Sequence, residues 1–269
     1  MKTVLVTGSS SGIGKATVRE FQASGQWNVV ATMRRPEQEH ELTKLSGVAV
    51  LRLDVTDEAS IAEAVAEAIR RFGTIDAVVN NAGYGLVGPF EASTPGQIER
   101  QFQTNVFGLM NVVRAVIPHM RERRSGVIAN VASMGGRITF PLYSLYHGTK
   151  WAVEGFSESL SYELEPFGIR VKIIEPGPIK TDFYERSMDV MRKVGLTAYD
   201  SFTERAMRNM NKSGETGAPP AATAKVIFAA VTDGSKRIRY QSNTMGLLLL
   251  RRLLPDGLFM KVIKRAVLK

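Results

Sequence analysis

The stretch VLVTGSSSGIGKATVREF, residues 4–21, joins an apolar, strand-like run to a helix-like run through three glycines. Gly8, Gly12 and Gly14 permit a tight turn and let the backbone approach a pyrophosphate, whose negative charge is favoured at the N-terminus of a helix. Their spacing, G-x-x-x-G-x-G, differs from the general G-x-G-x-x-G fingerprint. Taken alone, the stretch fits either a phosphate-binding turn or a purely structural one.

The rest of the chain continues this strand–helix alternation. Apolar runs typical of strands covered on both faces lie at residues 3–7, 27–32, 48–53, 75–80, 126–133 and 169–176. Helix-like patterns lie near residues 12–24, 37–45, 57–71, 96–123 and 146–166. Alternation of this kind predicts an α/β fold with a doubly wound parallel sheet, formed by a single domain over residues 1–269.

The regular pattern ends near residue 178. Residues 178–220 carry scattered methionines and the sequence GETGAPP, which predicts a mobile lid over a substrate rather than a second domain. A helix at 221–232, a short strand at 236–241 and a basic helical extension at 242–269 are expected to follow. Nearly all of the net charge of +9 lies in the last 34 residues, so we expect no general nucleic-acid binding.

The composition excludes several classes of site. The chain has no cysteine, which rules out disulfides and thiolate metal sites. His40, His119 and His147 are widely spaced, so we expect no metal site. The N-terminus leads directly into a strand-like run, and no segment approaches about 20 uninterrupted apolar residues. We therefore expect a cytoplasmic protein without a secretory signal or a membrane span.

The pentapeptide YHGTK, residues 146–150, places a tyrosine four residues before a lysine in a helical pattern. On a helix, this spacing puts Tyr146 and Lys150 on the same face, one turn apart. A tyrosine has a reference pKa of about 10, and a nearby ammonium group lowers that value by stabilising the phenolate. The pair is thus a candidate for proton transfer, although on its own it also fits an ordinary exposed aromatic–basic pair.

Together with the glycine loop, a series of motifs along residues 1–185 resembles the short-chain dehydrogenase/reductase family. These are LDVTD (53–57), NNAG (80–83), Asn105 in QTNVFG, Ser133 in NVAS, Tyr146-x-x-x-Lys150 and PGPIKT (176–181). The resemblance implies a Rossmann fold and hydride transfer between a nicotinamide and a carbonyl or alcohol. It implies four catalytic residues, Asn105, Ser133, Tyr146 and Lys150.

Each of these residues has an expected role. Tyr146 would act as acid and base, and Lys150 would support it electrostatically and hold the nicotinamide ribose. Ser133, at the carboxyl end of a strand, would donate a hydrogen bond to the substrate oxygen. Asn105 would sit in a distorted helix and bind a water of the proton relay. The role of His147, which follows the tyrosine, stays open.

The resemblance also implies a set of cofactor contacts. They are Gly8, Ser10, Ser11, Gly12, Ile13, Gly14, Arg34, Asp54, Val55, Asn81, Ala82, Gly83, Tyr146, Lys150, Pro176, Gly177, Ile179 and Thr181. The position that is acidic in NAD-preferring relatives is Met33, and two arginines follow it. We therefore expect NADP(H), with Arg34 on the 2′-phosphate. The alternative is a solvated basic turn before Pro36.

The segment NNAGYGLVGPFE and the long C-terminal part are most similar to the hydroxysteroid and retinol dehydrogenase branch. The expected substrate pocket consists of Tyr84, Ile138, Tyr143 and Phe183, with Leu86, Val87 and the methionines of the lid. These residues fit a hydrophobic carbonyl or alcohol. In the tail, an apolar stripe over residues 258–266 packs on its own domain or a second subunit, or lies on an anionic membrane surface, which is the less favoured alternative.

The sequence therefore predicts an NADP(H)-dependent oxidoreductase that acts on a hydrophobic carbonyl or alcohol and assembles as a dimer or tetramer. A 3-oxoacyl thioester reductase is a second interpretation, in which the basic tail attracts an acidic carrier protein. A non-catalytic NADP(H)-sensing protein is a third, although it would not require the four catalytic residues.

Overall fold

The computed structural model describes residues 1–180, 188–244 and 246–268. Within these ranges the strands are β1 Lys2–Val6, β2 Trp27–Met33, β3 Val48–Arg52, β4 Ala77–Asn80, β5 Gly85–Val87, β6 Gly126–Val131, β7 Ile169–Pro176, β8 Met188–Val190 and β9 Arg239–Ser242. Seven strands form one sheet in the order β3-β2-β1-β4-β6-β7-β9, and each neighbouring pair is parallel. The remaining two, β5 and β8, pair with each other in a small parallel sheet.

The α-helices are α1 Gly12–Ala23, α2 Glu58–Phe72, α3 Pro95–Phe102, α4 Gly108–Glu122, α5 Ser144–Leu164, α6 Asp200–Glu215, α7 Pro220–Thr232, α8 Leu247–Leu253 and α9 Asp256–Leu268. A π-helical turn, Gln103–Phe107, joins α3 to α4. None of the described helices is long and apolar enough to span a bilayer.

Both faces of the large sheet are covered, which explains why its strands are apolar throughout. On β1, Val4 packs into a core with α1 and α7, whereas the next residue, Leu5, packs into a second core with α2, α4 and α5. Successive side chains of a strand point to opposite faces, so one short run contributes to both layers. The predicted doubly wound sheet is confirmed.

The sheet changes direction at β1, whose neighbours are β2 on one side and β4 on the other. Strands β1, β2 and β3 are added in chain order toward one edge of the sheet. The chain then crosses back over β1, and β4 begins the half that extends toward the other edge. Connections leave the carboxyl ends of β1 and β4 in opposite directions and open a crevice between them. This crevice is where the candidate site lies.

Two segments differ from the prediction. The expected helix over 37–45 is wrong, because only short 3-10 turns at Pro36–Gln38 and Leu42–Lys44 form there. The Glu39 carboxylate accepts hydrogen bonds from the backbone N–H groups of Glu41 and Leu42, at 2.8 and 3.0 Å. These bonds satisfy donors that a continuous helix would otherwise pair, so the segment turns instead.

The second difference lies in the predicted lid. The expected irregular structure is wrong for residues 200–215, which form the 16-residue helix α6. The basic extension forms two helices separated at Pro255, as the sequence predicts. Helix α9 packs against α6, and the Nδ2 group of Asn209 donates to the carbonyl of Val267 at 2.9 Å. The lid segment and the extension therefore join into one layer.

Candidate active site

The glycine loop brings the start of α1 close to the end of β1. Gly8 and Gly12 have φ values of +67° and +53°, in the left-handed region that favours glycine. A Cβ atom on Gly14 would lie only 2.2 Å from the carbonyl oxygen of Gly8. A side chain at position 14 would therefore push the loop away from the helix.

Hydrogen bonds from β4 hold the loop in this shape. The hydroxyl of Thr7 accepts from the backbone N–H groups of Asn81 and Ala82, at 3.0 and 3.1 Å. The Nδ2 group of Asn81 donates to the carbonyls of Thr7 and Gly8, at 3.0 and 3.1 Å. The side chain of Asn81 thus fastens the loop to β4, a structural role that its assignment as a cofactor contact did not anticipate.

The far end of the crevice is formed by the ends of β2 and β3. Met33 is buried, and the exposed Arg34 follows it at the wall of the cleft. Asp54 and Val55 line the same wall. The carboxylate of Asp54 accepts from the backbone N–H and the hydroxyl of Thr56, at 3.0 and 2.8 Å, so it also caps its own turn.

Helix α5 places Tyr146 and Lys150 at the centre of the cleft. The Nζ atom of Lys150 lies 5.8 Å from the centre of the Tyr146 ring and donates to the carbonyl of Val131 at 2.9 Å. Burial lowers the pKa of Lys150 to about 8, while the negative charge of Glu154 acts to raise it. The pair lies on one face of the helix, as its spacing predicts.

Ser133 follows the carboxyl end of β6 and faces the same cleft. Its Oγ atom accepts from the backbone N–H of Gly135 at 3.0 Å, which caps the short 3-10 turn Met134–Gly136. A weaker contact of 3.5 Å joins the hydroxyl to the carbonyl of Pro176. The turn fixes the direction of the Ser133 side chain.

Asn105 lies in the π-helical turn, so the expected distortion of this helix is present. Its Oδ1 atom accepts from the N–H of Tyr84 at 3.0 Å, and its Nδ2 group donates to the Tyr84 carbonyl at 2.8 Å. The same Nδ2 group lies 3.2 Å from the hydroxyl of Thr149. Thr149, within YHGTK, therefore joins Asn105 to α5, and the sequence analysis did not single it out.

The remaining predicted cofactor contacts fall on the same wall. The cleft is lined by Gly8, Ser10, Ser11, Gly12, Ile13, Asn81, Ala82, Gly83, Pro176, Gly177 and Ile179. Gly14 lies directly behind this lining, against Gly8. Thr181 and Phe183 lie outside the described residues.

The substrate side of the cleft differs in part from the prediction. Tyr84 and Tyr143 line it, but Ile138 is 1 % exposed and lies in the core behind the lining, as do Leu86 and Val87. Met188 and Met210 of segment 178–220 also line this side, and the predicted pocket included methionines of that segment. The side is completed by residues that the pocket prediction did not include, and these are Asn209, Leu247, Val262, Ile263, Ala266 and Val267. Val262, Ile263 and Ala266 of the tail's apolar stripe therefore line the cleft of their own domain, whereas Leu258 is 50% exposed.

A pair of buried carboxylates lies behind Lys150. Glu154 is one helical turn further along α5, and the side chain of Glu175 on β7 is fully buried. The guanidinium of Arg239 lies 3.2 Å from Glu154 and 3.6 Å from Glu175. Burial, together with the neighbouring Glu175 charge, raises the pKa of Glu154 to about 7.

The cleft is a single cavity of about 1050 Å³ that extends from Arg34 to the tail. One end offers a glycine turn with no room for side chains, the N-terminus of α1 and an exposed guanidinium. These features fit the pyrophosphate and adenosine end of a nicotinamide dinucleotide. The other end is mostly apolar and has the hydroxyls of Ser133 and Tyr146 at its base.

Comparison with known proteins agrees with this architecture. The family model described as short chain dehydrogenase matches residues 2–192. Retinol dehydrogenase 8 of Bos taurus is 33% identical over 272 residues, covering 95% of this chain and 86% of its own. A 3-ketodihydrosphingosine reductase of Bacteroides thetaiotaomicron is 35% identical over 229 residues, covering 83% and 82%.

Solved structures show the same fold. A short-chain dehydrogenase from Streptomyces avermitilis superposes with a TM-score of 0.84 at 34% identity, covering 98% of this chain and 97% of its own. The structure of ElxO with NADP bound superposes with a TM-score of 0.74 at 26% identity, covering 91% and 99%. The chain belongs to the short-chain dehydrogenase family, and its large sheet is the Rossmann fold of that family.

Proposed function

We propose that this protein catalyses NADP(H)-dependent hydride transfer between nicotinamide and the carbonyl or alcohol carbon of a hydrophobic small molecule. The main support is the position of Ser133, Tyr146 and Lys150, which line the same cleft as the glycine loop. A dinucleotide that lies along the loop would bring its reactive ring to these three side chains.

Tyr146 is the acid and base of the proposed reaction. The bound nicotinamide supplies or accepts the hydride. In reduction, the Tyr146 hydroxyl donates its proton to the carbonyl oxygen, and in oxidation the phenolate accepts the proton of the alcohol. The Lys150 ammonium, held by the carbonyl of Val131, stabilises the phenolate. Because the pKa of Lys150 is about 8, the group stays charged at neutral pH.

Ser133 and Asn105 support this chemistry. The Oγ atom of Ser133 accepts from Gly135, and its hydrogen is directed at the carbonyl of Pro176, 3.5 Å away. Because that contact is long, a bound substrate oxygen can replace the Pro176 carbonyl as the acceptor. Asn105 holds the backbone of Tyr84 on both sides and keeps the π-helical turn against α5. From there it is in a position to bind the water through which Tyr146 is reprotonated.

Replacing Tyr146 by Phe tests the mechanism. We expect Tyr146→Phe to lower kcat about a thousandfold because the proton donor is lost, with little change in the Kd for NADPH. Tyr162→Phe is a matched control, since Tyr162 lies on the same helix and is 72% exposed. Turnover near the wild-type rate in Tyr146→Phe would contradict the proposal.

Arg34 carries the proposed preference for NADP(H). Its guanidinium lines the cleft at the end of β2, where the sequence offers no carboxylate to the ribose hydroxyls. We expect Arg34→Asp to raise the KM for NADPH by about a hundredfold and to leave the KM for NADH equal or lower. Lys44→Asp, at an exposed residue away from the cleft, is the control. An unchanged ratio of the two KM values would refute the assignment.

The apolar lining of the substrate side supports a hydrophobic substrate. Two relatives are named for acting on retinol and on a 3-keto sphingoid base. The decisive assay follows NADPH absorbance with retinal, a ketosteroid, 3-ketodihydrosphingosine and an acyl thioester. Activity confined to the thioester would favour a 3-oxoacyl thioester reductase. Tight NADPH binding without turnover of any carbonyl would favour a sensor.

We also propose a cytoplasmic location and a homo-oligomeric assembly. Phe107 and Trp151 are large side chains near half exposure, and burying them between subunits would stabilise a dimer or tetramer. Sedimentation velocity of the wild type and of Trp151→Glu tests the assembly. A monomer at micromolar concentration in both samples would contradict it.

A further inference from the structure

His147 lies between Tyr146 and Lys150, and the mechanism above gives it no part. It is 4% exposed and lies on the cleft side of α5. Burial lowers its pKa to about 4, so its ring is neutral at physiological pH. His147 is thus a buried, neutral imidazole placed between the two residues of the proposed proton transfer.

Two hydrogen bonds join His147 to residues 137–143, a segment that we call the wall loop. The loop connects the Ser133 turn to α5, and its residues Phe140 and Tyr143 line the cleft. The N–H of Phe140 donates to Nδ1 of His147 at 3.3 Å. The backbone N–H of His147 donates to the carbonyl of Tyr143 at 2.8 Å, which is the ordinary i→i−4 bond of the first turn of α5. The Nδ1 bond is therefore the contact by which the His147 side chain itself holds the loop.

The His147 ring also fills the space between the wall loop and the Ser133 turn. It stacks on the Tyr143 ring with centroids 5.6 Å apart and planes at 22°. Its opposite edge meets Gly135, where an added Cβ atom would lie 2.7 Å from Cδ2 and 3.0 Å from Nε2. The same point is 3.3 Å from the Oγ atom of Ser133. The ring thus lies between the substrate wall and the turn that carries the Ser133 hydroxyl.

The backbone N–H of Phe140 fixes the tautomer of His147. An N–H group can only donate, so Nδ1 must be the unprotonated nitrogen, and the ring proton belongs to Nε2. The hold on the wall loop therefore depends on one acceptor atom at the Nδ1 position. It does not depend on a charge or on exchange of a proton with the substrate.

We propose that His147 is the positioning residue of the substrate wall. Its Nδ1 atom holds the wall loop against α5 and so fixes Phe140 and Tyr143 relative to Ser133 and Tyr146. The shape of the pocket beside the reacting carbonyl, and with it the choice among hydrophobic substrates, follows from this contact. The kinetic part of the inference rests on the proposed function, whereas the structural part does not.

Three substitutions of His147 distinguish the roles of Nδ1, Nε2 and the volume of the ring. His147→Asn keeps an acceptor near the position of Nδ1, because the Asn Oδ1 atom lies at the same distance along the side chain. His147→Gln places its polar atoms near Nε2 instead. His147→Phe keeps the ring volume and the stacking on Tyr143 but removes both nitrogens. All three are to be compared at temperatures well below the measured Tm of each variant.

Hydrogen exchange of the wall loop measures the contact directly. In the NADPH-bound protein, we expect the Phe140 amide to exchange about tenfold faster in His147→Phe and His147→Gln, because its acceptor is lost. His147→Asn should keep the wild-type protection. Equal exchange of Phe140 in the wild type and His147→Phe would overturn the proposal, whether or not any substrate is turned over.

Steady-state kinetics on the best carbonyl substrate give the second measurement. We expect His147→Phe to raise KM about tenfold and to change kcat less than about threefold, with the pH profile of kcat unchanged and with KM restored in His147→Asn. Restoration by Gln and not by Asn would overturn the role of Nδ1 and assign a substrate contact to Nε2. A shift of the pH profile in His147→Phe would instead place the ring in proton transfer and also overturn the proposal.

Discussion

The two ends of the cleft are built in different ways. At the cofactor end, the glycine loop is held by hydrogen bonds between Thr7 and Asn81 and by backbone contacts that leave no room for a Cβ atom. At the substrate end, the walls are side chains of the wall loop, α6 and α9, packed by apolar contact. Backbone geometry tolerates little change, whereas side-chain packing responds in proportion to the atoms removed.

Gly14→Ala is the strongest test of this difference. The new Cβ atom would lie 2.2 Å from the Gly8 carbonyl oxygen and 2.6 Å from Nδ2 of Asn81, so the loop must move. We expect the Kd for NADPH to rise at least about a hundredfold, measured by fluorescence titration, because the phosphate-binding amides move with the loop.

Gly155→Ala is the matched control for that substitution. Gly155 is an exposed residue of α5, and its added Cβ atom would meet no other atom within 4 Å. We expect unchanged NADPH binding and a slightly higher Tm, since alanine favours the helix over glycine. Wild-type NADPH affinity in Gly14→Ala would show that the loop is not sterically fixed.

Glu154→Gln examines helix α5, which contributes to both ends of the cleft. The pKa of Glu154 is raised from 4.5 to about 7, so the unfolded chain ionises first as pH rises. The free energy of unfolding of the wild type should therefore fall as pH rises from 4.5 to 7. In Glu154→Gln, roughly 2 to 3 kcal/mol of this decrease should be absent. Urea titrations at pH 5 and pH 7.5 measure the free energy of unfolding of the wild type and of Glu154→Gln.

Glu158→Gln is the control with the opposite sign. The hydrogen bond from Arg239 lowers the pKa of Glu158, so its carboxylate favours folding at neutral pH. We expect Glu158→Gln to be less stable than the wild type at both pH 5 and pH 7.5, a difference that disappears as pH falls below 4.5. Glu154→Gln should instead be more stable relative to the wild type at pH 7.5 than at pH 5. The same sign of change in both variants would show that burial does not dominate at Glu154.

Ile263→Ala should give the smallest effect and act only at the substrate end. Ile263 is 6% exposed and lines the cleft from α9, so its truncation removes apolar contact with a bound substrate. We expect KM for a hydrophobic carbonyl to rise about tenfold with the Kd for NADPH unchanged. Leu258→Ala, at a half-exposed residue of the same helix, is the control. A higher Kd for NADPH in Ile263→Ala would mean that the two ends of the cleft are coupled.

The cofactor end could be predicted well from the sequence because its determinants are local. Gly8, Gly12 and Gly14 lie within seven residues, and the strand runs on either side are apolar because both sheet faces are covered. The i, i+4 spacing was likewise enough to place Tyr146 and Lys150 on one helix face. The fastening of the loop by the Asn81 side chain was not visible, since it joins residues more than 70 positions apart.

The substrate end was predicted less well because distant contacts determine it. Helix α6 is polar on average, but Ala206 and Met207 precede Met210 by one helical turn and pack with it in one apolar cluster. These methionines were interpreted as scattered residues, so their helical spacing was missed. Helix α6 is stabilised by packing on α9, about 60 residues later in the chain. The apolar stripe of α9 was recognised, but only the structure shows that it faces the cleft. Ile138 was assigned to the pocket because its side chain is apolar, but it lies in the core.

Helix α9 follows every other described element in the chain, so a ribosome synthesises it after them. A nascent chain that has emerged as far as β7 already carries the glycine loop, Ser133 and the Tyr146–Lys150 pair. At that point the apolar lining still lacks Val262 and Ile263 and is open to water. Since domains begin to fold during synthesis, the dinucleotide end can form first, and the apolar lining stays exposed to water until α9 packs against it.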